Sequence, residues 1–548
     1  MNDASIKTIA DIYYFQLKNK PQTTAFTQKE NNKWISISTQ DFITKSTEMS
    51  SGLLGLGLNK GDRVAIIANN RTEWHLTDLA IQQIGGVNVP VYLNLNPEDY
   101  IYILNDCGAK VIFVSDNEIL NKILSVKSSL SSVEHIFTFN NVEGARHYSE
   151  LLTGDDRKED VKEIREAIEE DDLATLIYTS GTTGNPKGVM LTHKNLITNV
   201  IASSHRLPSG ENLKALSFLP LCHVFERMLD YLYISQSVSI YYAESMETIA
   251  DDLKDVKPQM FATVPRLLEK VYDKIVAKGT DLTGVKKKLF FWALELGLKF
   301  DPIIDHGFWY NFKLKIANRL IFSKWREALG GNIIAIVSGG AALQPRLARV
   351  FSSANIPVLE GYGLTETSPV IGVNCLHPGG RMIGTIGKPL ENLDVKIAPD
   401  GEIIVKGPSI MKGYYNLPEL TAEVMDDEGY FHTGDIGEFV NGGFLKITDR
   451  KKEIFKTSGG KYIAPQVMEN IFKESRFIEQ IMVVGEGEKH ASAFIQPDFL
   501  FIEGWCERKN ISFESSEKII TNTDVIERIK KEVDELNKNF SNYEQIKK

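Results

Sequence analysis

Apolar runs with the character of buried strands alternate with helical patterns along most of this chain. Residues 62–69 (DRVAIIAN) form one such run, a helical pattern follows around 73–84, and a second apolar run covers 85–93. The same alternation recurs at 175–200 and 333–370. Strands that alternate with helices favour parallel sheets whose two faces are covered. The pattern therefore predicts an α/β fold.

The character of the chain changes after residue 392, where short strands and turns replace the longer alternation. Asp400-Gly401 lies between two β-rich runs, which is a strong signal for a hairpin. The segment 449–461 is basic and rich in turn residues, so it predicts a domain boundary. A terminal amphipathic helix is predicted from an apolar stripe formed by Val525, Ile526, Ile529, Val533 and Leu536.

Composition is that of an ordinary globular protein, with 43% hydrophobic and 24% charged residues. The 62 basic and 72 acidic residues give a net charge of −10. Nucleic-acid-binding proteins usually carry a basic excess, so nucleic acid is not the expected partner. The cysteines form no Cys-x-x-Cys pair, the N-terminus lacks the apolar core of a signal peptide, and no stretch approaches the roughly 20 apolar residues of a membrane span. These features predict a cytoplasmic protein in a reducing compartment.

The most informative segment is the loop YTSGTTGNPKG at 178–188. Its glycines let the backbone approach a ligand, its hydroxyl groups can hydrogen-bond an anion, and Lys187 adds a positive charge. These features are typical of a phosphate cradle. The loop differs from a Walker A motif, because Lys187 is followed by Gly188 rather than by Ser or Thr. The alternative interpretation is a Gly/Thr-rich surface turn.

Together with five further segments, this loop resembles the adenylate-forming enzymes, which include acyl-CoA and aryl-CoA synthetases and peptide-synthetase adenylation domains. The segments follow the order of that family: LPLCHVFER at 219–227, SGGAAL at 338–343, EGYGLTET at 360–367, YFHTGD at 430–435 and ITDRKKEIFKTSGGKYIAP at 447–465. Each segment is moderately specific alone, but the set spans nearly the whole chain. The resemblance implies ATP, Mg²⁺ and coenzyme A as cofactors or substrates.

The resemblance also implies a domain organisation. Residues 1–449 would form a large N-terminal AMP-binding domain of layered α/β sheets with a small β-barrel-like subdomain. Residues 450–548 would form a small, mobile α+β domain with a hinge near 449–452, at Lys452. One orientation of this domain would complete adenylation, and the other would build the thiol site, with Gly459 and Gly460 near the pantetheine arm of coenzyme A.

The residues of EGYGLTET suit a nucleotide site. Gly361 and Gly363 permit a tight turn beside Tyr362, whose flat ring can stack on adenine. Thr365 can hydrogen-bond the α-phosphate. Glu366 is an oxygen ligand suited to Mg²⁺, which prefers one or two carboxylates plus substrate phosphates.

Further site assignments come from the resemblance. Asp435 would bind the ribose hydroxyls with Arg450 as its partner, and His223 would lie against the carboxylate-activation site, with a core histidine as the alternative. The implied nucleotide- and CoA-binding residues are Thr179, Ser180, Gly181, Thr182, Thr183, Gly184, Gly339, Gly340, Ala341, Glu360, Gly361, Tyr362, Gly363, Asp435, Arg450, Gly459 and Gly460. The implied catalytic residues are Lys187, His223, Thr365, Glu366 and Lys452, and the implied metal ligands are Thr179 and Glu366.

The acyl group is predicted from finer similarities. LPLCHVFER, SGGAALQPRL and the insertion 285–325 look most like long-chain fatty acyl-CoA synthetases. Burial of each methylene stabilises binding by about 0.8 kcal/mol, so a long-chain fatty acid is the expected substrate. The Lys/Arg, Phe and Trp mixture of the insertion predicts peripheral membrane contact or an acyl entrance, with an ordinary helical pair as the alternative. Some long-chain relatives carry a Trp gate where this chain has Arg227, so no gate residue is assigned.

Two other functions remain open at this point. The chain could load an acyl carrier protein instead of coenzyme A, or it could bind acyl groups and nucleotides without turnover. The family carries an adenylation lysine in a Gly/Pro/Thr-rich loop near its C-terminus, whereas Lys547 and Lys548 here follow NFSNYEQI. Either the sequence is truncated there or this lysine is missing. Loss of such a donor typically costs about 3–4 kcal/mol of transition-state stabilisation, so slow adenylation is expected.

Overall fold

The computed structural model describes residues 5–152, 157–179 and 184–548. In chain order the strands are β1 Phe26–Glu30, β2 Lys33–Ile37, β3 Arg63–Ile67, β4 Val87–Pro90, β5 Ala109–Val114, β6 His135–Thr138, β7 Leu173–Thr179, β8 Lys187–Thr192, β9 Lys214–Ser217, β10 Ser239–Tyr242, β11 Met260–Thr263, β12 Ala335–Ser338, β13 Val358–Gly363, β14 Val370–Val373, β15 Lys388–Pro389, β16 Asp394–Ile397, β17 Glu402–Lys406, β18 Gly413–Tyr414, β19 Phe431–Val440, β20 Phe444–Arg450, β21 Phe455–Lys456, β22 Tyr462–Ile463, β23 Ile478–Val484 and β24 Ser492–Pro497.

The α-helices are, in the same order, α1 Ile9–Asn19, α2 Thr39–Gly55, α3 Thr72–Gln83, α4 Pro97–Cys107, α5 Asn117–Val126, α6 Lys158–Glu166, α7 His193–Ser204, α8 Val224–Ser235, α9 Ile249–Val256, α10 Pro265–Asp281, α11 Gly284–Leu298, α12 Gly307–Ala317, α13 Ser323–Ala328, α14 Pro345–Ser353, α15 Pro418–Val424, α16 Pro465–Phe472, α17 Phe499–Lys509, α18 Ser516–Ile519 and α19 Thr523–Asn537.

Helix α4 shows how the local sequence sets element boundaries. The Asn96 side chain accepts a hydrogen bond from the Asp99 amide, which caps the free amides of the first turn. Pro97 occupies the first turn, where its missing amide hydrogen is not needed. The helix ends at Gly108, which adopts φ 62°, in the left-handed region that glycine tolerates best.

A seven-stranded sheet forms one layer of the protein, in the order β18-β8-β7-β4-β3-β5-β6. Strands β7, β4, β3, β5 and β6 run parallel, and β8 and β18 are antiparallel additions at one edge. The parallel strands are short apolar runs, as expected for a sheet covered on both faces. The strand predicted within 62–69 and the helix predicted around 73–84 are confirmed by β3 and α3.

A nine-stranded sheet forms a second layer, in the order β15-β14-β13-β12-β11-β9-β10-β1-β2. The strands from β13 to β1 run parallel, so their carboxyl ends meet at one edge. The remaining strands pair antiparallel at the two ends of the sheet. The alternation predicted at 333–370 is confirmed by the unit β12–α14–β13.

The β-rich part after residue 392 forms a four-stranded antiparallel sheet in the order β16-β17-β19-β20. The hairpin predicted at Asp400-Gly401 is confirmed, and Gly401 adopts φ 88° in its turn. Leu445 of β20 exchanges backbone hydrogen bonds with Ile386 and Gly387, which joins this sheet to the β14–β15 edge. The resulting arrangement agrees with the predicted α/β fold class and its β-barrel-like subdomain.

Beyond β20 the chain has hydrophobic clusters of its own. One gathers around Phe455, Ile463 and Phe472, and another around Ile502 and Val525. The terminal amphipathic helix is confirmed by α19, but one member of its predicted stripe is misplaced. Ile526 is 37% exposed, because a helical neighbour of buried Val525 is turned about 100° away from the core. The domain division at 449–450 remains a prediction.

The insertion 285–325 contains a buried and an exposed part. Helix α11 buries residues such as Phe290 and Leu294 in the main core. Helix α12 contributes buried Ala317 to this core and is also attached by Tyr310, whose hydroxyl donates to the Leu296 carbonyl at 3.0 Å, while residues such as Phe308 on its other side are exposed. Within the described ranges, no helix combines the length and the apolar composition needed to cross a membrane.

Candidate functional site

Three of the sequence motifs leave the same edge of the nine-stranded sheet. LPLCHVFER follows β9, SGGAAL follows β12, and EGYGLTET spans the end of β13. Strands β12 and β13 are parallel neighbours, and β11 alone separates β12 from the parallel strand β9, so the three motifs start at the same edge, at the carboxyl ends of their strands. Ligands of open α/β sheets bind in the crevice at this end of the strands.

Asn70 holds the segment that carries His223, and sequence reasoning missed it. The Asn70 amide nitrogen donates to the Leu219 carbonyl at 2.7 Å, and its oxygen accepts from the Leu221 amide at 3.1 Å. Asn70 comes just after β3, the position where polar residues of parallel sheets often serve a ligand site. The position of Asn70 just after a predicted strand was the sequence signal that could have identified it.

His223 lies at the start of α8 and faces outward from the sheet edge. Its ring meets Tyr92 edge-on, with centroids 4.6 Å apart. The surrounding protein desolvates the imidazole and lowers its pKa below the usual value, which favours the neutral ring. A neutral imidazole can accept or donate a hydrogen bond without adding charge to its surroundings.

Arg227, for which no gate role was assigned, is completely buried. Its guanidinium pairs with Asp78 at 2.7 Å and donates to Thr175 Oγ1 at 2.8 Å and to the Tyr231 hydroxyl at 2.6 Å. Burial opposes ionisation of Asp78, but the charges of Arg227 and His75 and the hydrogen bonds from Tyr231 and Asn88 together outweigh it, so the pKa of Asp78 is lowered. Asp78 lies on α3 and Thr175 on β7, so the guanidinium links α8 to the seven-stranded layer.

The phosphate-cradle loop connects β7 to β8. Ser180, Gly181, Thr182 and Thr183 lie outside the described residues. At the root of the loop, Thr179 is the strand partner of Lys187, so the two predicted site residues are adjacent. Gly184 adopts φ 148°, and a side chain at Gly188 would lie 3.1 Å from the Tyr178 ring.

Glu366 and Lys187 meet through Tyr414, a residue that sequence reasoning did not select. The Tyr414 hydroxyl donates to Glu366 Oε1 at 2.8 Å, and the Lys187 ammonium lies 5.0 Å from the centre of the Tyr414 ring. That separation allows a cation–π contact. Burial, together with the charge of Glu366, raises the pKa of Tyr414, so its proton stays on the hydroxyl. The sequence signal for Tyr414 was its place in the run Gly413-Tyr414-Tyr415. In the structure Gly413 adopts φ 142°.

The 360–367 segment depends on glycine. A Cβ atom at Gly363 would lie 1.7 Å from the Pro369 carbonyl oxygen, and one at Gly361 would lie 3.3 Å from the Val373 side chain. The chain therefore folds back on itself more tightly than any other residue type would allow at Gly363. Thr365 and Glu366 follow directly in a short 3₁₀ turn.

Tyr362, Asp435 and Arg450 form one cluster. The Tyr362 hydroxyl donates to Asp435 Oδ2 at 2.5 Å, and Arg450 Nε lies 3.6 Å from Asp435 Oδ1. Asp435 and Arg450 are also direct partners across β19 and β20. Burial raises the pKa of Asp435, while the hydroxyl of Tyr362 and the charge of Arg450 act in the opposite direction.

The SGGAAL segment begins at the end of β12, and Glu360 lies on the neighbouring strand β13, where it is the partner of Ser338. A Cβ atom at Gly339 would lie 3.1 Å from the Phe225 ring, Gly340 adopts φ 80°, and Ala341 is exposed. Glu360 is buried and accepts a hydrogen bond from the Gly384 amide at 3.1 Å. Burial raises the pKa of Glu360 to about 8, so its carboxyl group is mostly protonated at neutral pH.

Three predicted residues lie in turns beyond the end of β20. Lys452 is in an exposed turn after β20, and Gly459 and Gly460 are in the turn between β21 and β22. The Gly460 amide donates to the Thr457 carbonyl at 2.8 Å, within the same turn.

In the described part of the chain, no group of three or more His, Cys, Asp or Glu side chains is placed to hold a metal ion. The two predicted metal ligands, the Thr179 hydroxyl and the Glu366 carboxylate, would therefore supply only a small part of a cation's coordination shell. Such a small set fits Mg²⁺, which takes most of its ligands from water and substrate phosphates.

Comparisons with known proteins agree on one family. Residues 14–415 match the family described as AMP-binding enzyme. The chain is 32% identical to the long-chain-fatty-acid–CoA ligase FadD15 of Mycobacterium bovis, over 98% of this chain and 90% of the relative. It is 33% identical to the peroxisomal long chain acyl-CoA synthetase 7 of Arabidopsis thaliana, over 89% of this chain and 72% of the relative.

The fold is similar to that of the anthranilate CoA ligase AuaEII, solved in complex with anthranoyl-AMP. The TM-score is 0.71 at 19% sequence identity, and the match covers 98% of this chain and 92% of that chain. This chain therefore shares its fold with a solved structure over nearly its whole length.

Proposed function

Because the chain belongs to the AMP-binding enzyme family, we propose that it is an AMP-forming acid–thiol ligase acting on long-chain fatty acids. A fatty-acid carboxylate oxygen attacks the α-phosphorus of ATP, and pyrophosphate leaves. The sulfur of coenzyme A then attacks the acyl carbonyl, and AMP leaves. The observation that carries the proposal is that the family motifs form two sets of contacts: Tyr362 and Arg450 around Asp435, and Glu366 and Lys187 around Tyr414.

We assign nucleotide binding to that cluster. The buried Asp435 carboxylate accepts hydrogen bonds from the ribose hydroxyls, and the nearby charge of Arg450 favours its ionised form. Thr365 and Lys187 face the phosphates, where a hydroxyl donor and a cation stabilise the charge that develops as pyrophosphate leaves. The buried ring of Tyr414 holds Lys187 and Glu366 in a fixed relation.

We also propose Mg²⁺ as the metal, held by Glu366 with Thr179 close by. When bound, this ion neutralises phosphate charge during transfer. The Tyr414 hydroxyl orients the Glu366 carboxylate by donating to Oε1. The other carboxylate oxygen, Oε2, would then bind the metal.

The second half-reaction is assigned to the C-terminal part. We propose that residues 450–548 move about a hinge at Lys452 and that Gly459 and Gly460 approach the thiol arm. The separate hydrophobic clusters beyond β20 support this division, because a unit with its own core can rotate without exposing it. Coenzyme A is the acceptor favoured by the curated relatives, and an acyl carrier protein is the competitor to test.

The function is tested by acid-dependent ATP–pyrophosphate exchange and by thioester formation with each acceptor. A ligase of the proposed kind exchanges pyrophosphate only when a long-chain acid is present and then consumes coenzyme A. Thioester formation with a carrier protein but not with coenzyme A would identify the competing function. Nucleotide binding without exchange would identify a non-catalytic binding protein.

Glu366→Gln is expected to lower the exchange rate at least tenfold and to raise the Mg²⁺ concentration needed for half-maximal ATP binding. The amide keeps the shape of the side chain but removes the negative charge that suits a hard cation. Calorimetric titration of ATP at several Mg²⁺ concentrations measures the second effect without turnover. Glu419→Gln, an exposed acid-to-amide change on α15, is the control. An unchanged Mg²⁺ dependence in Glu366→Gln would remove the metal assignment.

Asp435→Asn is expected to weaken ATP binding by about tenfold to a hundredfold, since a hydrogen bond to a charged group contributes about 1.5–3 kcal/mol. The amide preserves size and can still accept from Tyr362. Equilibrium titration of ATP measures the affinity, with Asp427→Asn, an exposed acid on the turn before β19, as the control. Equal affinity in the two variants would show that Asp435 is only structural.

The location of the enzyme follows from its substrate. We propose that it works at the surface of a membrane, which it contacts peripherally through the insertion 285–325. The exposed part of this insertion supports that placement.

A further inference from the structure

The connection from β9 to the first turn of α8 presents a single histidine at the sheet edge. His223 is exposed, whereas the residues on either side of it, Cys222 and Val224, are buried. We call residues 218–226 the His223 loop. The ring of Phe225, also in this loop, lies against the first glycine of SGGAAL, where a Cβ atom would be 3.1 Å away. The placement of both rings therefore depends on how the loop is held.

Glu226 holds the loop from the interior of the protein. Its side chain is 1% exposed, and its Oε1 accepts a hydrogen bond from the Phe218 amide at 3.0 Å. Phe218 directly follows β9, and Glu226 lies in the first turn of α8, so this hydrogen bond joins the two ends of the loop. Buried hydrogen bonds of this kind fix the site residues that lie between them.

The residue before the loop is held from other elements. The Ser217 hydroxyl donates to Asp230 Oδ2 at 3.2 Å and lies 3.3 Å from the Asn70 amide nitrogen, which donates to it. Asp230 Oδ2 also lies 3.0 Å from His75 Nε2. These contacts connect the end of β9 to α3 and to the end of β3. Glu226 differs from them, because it ties the loop to the helix that the loop itself leads into.

Glu226 makes this contact as a neutral acid. Burial, followed by the charge of Asp230, raises the pKa of Glu226 well above its usual value. The neighbouring cation, Arg227, pairs with Asp78 instead. A protonated carboxyl group accepts with one oxygen and carries its proton on the other, and a glutamine amide offers the same arrangement of acceptor and donor. Glutamine is therefore the conservative replacement at this position.

We propose that Glu226 is a positioning residue for the fatty acid: its hydrogen bond to the Phe218 amide fixes the His223 loop where it meets the carboxyl end of that substrate. The proposal rests on the proposed function for the identity of the substrate. The nucleotide-binding contacts assigned to Tyr362, Asp435 and Arg450 belong to β13, β19 and β20. Loss of the Glu226 contact is therefore expected to impair use of the acid and to leave ATP affinity unchanged.

The test compares two variants of the full chain in ATP–pyrophosphate exchange with a long-chain acid. Glu226→Met keeps the length of the side chain and removes the acceptor of the Phe218 amide. It is expected to lower kcat/KM for the acid at least about tenfold, because a small displacement at a reacting centre can cost about 10² in rate. Glu226→Gln is expected to recover the rate to within about threefold of the unchanged chain, because its amide oxygen accepts in the same way.

Gln16→Met is the matched control, because it also replaces a buried polar side chain by methionine. Gln16 is 2% exposed on α1 and forms hydrogen bonds with Gln22 and Thr39. Calorimetric titration of ATP counts the folded molecules, and each rate is divided by that number. The control is expected to keep kcat/KM for the acid. Equal losses in the two methionine variants, or a glutamine variant as slow as Glu226→Met, would overturn the proposal.

Glu226→Asp carries the same test if the methionine variant does not fold. The aspartate keeps the carboxyl group, but it is shorter by one methylene and cannot reach the Phe218 amide unless the loop moves. It is expected to lower kcat/KM for the acid at least about threefold while ATP affinity is kept. Full activity of this variant, or a parallel loss of ATP affinity, would contradict the positioning role.

Amide hydrogen exchange tests the contact without any turnover. Peptides that cover 216–222 are expected to exchange faster in Glu226→Met than in the unchanged chain, whereas peptides of α2 are expected to exchange equally. Unaltered exchange at 216–222 would overturn the proposal. An unchanged chain that lacks acid-dependent pyrophosphate exchange rejects the ligase function, and with it the substrate of this loop. Full activity in both the unchanged chain and Glu226→Met rejects the positioning role alone.

Discussion

Asp78→Ala is expected to lower the free energy of unfolding by about 3–5 kcal/mol, because it leaves the Arg227 guanidinium buried without a counter-charge. Both side chains are fully buried, and the pair also includes hydrogen bonds from Tyr231 and Asn88 to Asp78. Removing one partner of such a network costs far more than removing a surface ion pair. Urea unfolding followed by circular dichroism measures the loss.

Two variants make this expectation specific. Glu118→Ala removes the carboxylate of an exposed helical ion pair with Lys122 and is expected to cost less than about 1 kcal/mol. The double variant Asp78→Ala/Arg227→Met removes both buried charges and is expected to recover part of the stability lost by Asp78→Ala alone. If Asp78→Ala and Glu118→Ala destabilise equally, the buried pair does not hold α8 to the other layer.

Gly363→Ala is expected to reduce acid-dependent ATP–pyrophosphate exchange by at least about a hundredfold. The added methyl group would lie 1.7 Å from the Pro369 carbonyl oxygen, so the segment that carries Thr365 and Glu366 must move by more than an ångström. A displacement of that size at a reacting centre typically costs about 10² in rate. Exchange kinetics are measured beside ATP affinity, which is expected to fall as well.

The control is Gly55→Ala at the end of α2, where a Cβ atom would meet no atom within 4 Å. This variant is expected to keep both exchange and thermal stability. Exchange within threefold of the unchanged chain in Gly363→Ala would contradict the expectation and would mean that Pro369 can move aside.

Local sequence patterns predicted the parts of the fold that depend on near neighbours. The hairpin was predicted from Asp400-Gly401, and helix α4, whose ends are set by Asn96, Pro97 and Gly108, follows the same kind of local rule. In these elements the capping and turn residues lie within a few positions of what they stabilise. The prediction that Ile526 belongs to the apolar stripe was wrong. Consecutive helix positions point about 100° apart, so Ile526 cannot face the core together with Val525.

The candidate site was predictable where a motif carries its own chemistry and not where distant residues meet. Asp435 and Arg450 lie in recognisable motifs, and pairing of β19 with β20 brings them together. Tyr414 and Asn70 contact Glu366 and Leu219 from segments far away in sequence, so the local signals at these two positions do not show which residues they meet. Arg227 stands where some relatives carry a gate, and only the three-dimensional packing shows that it serves an internal ion pair.

The double role of helix α8 limits which of its residues can be varied without loss of the fold. Phe225 on its first turn packs against Gly339 at the site, while Glu226 accepts from the Phe218 amide and Arg227 pairs with Asp78 in the interior. A library that randomises all of 219–227 would lose most of its members to misfolding before any substrate was offered. Randomising His223 and Phe225 alone leaves the interior pairs intact, so screening effort goes to variants that still fold.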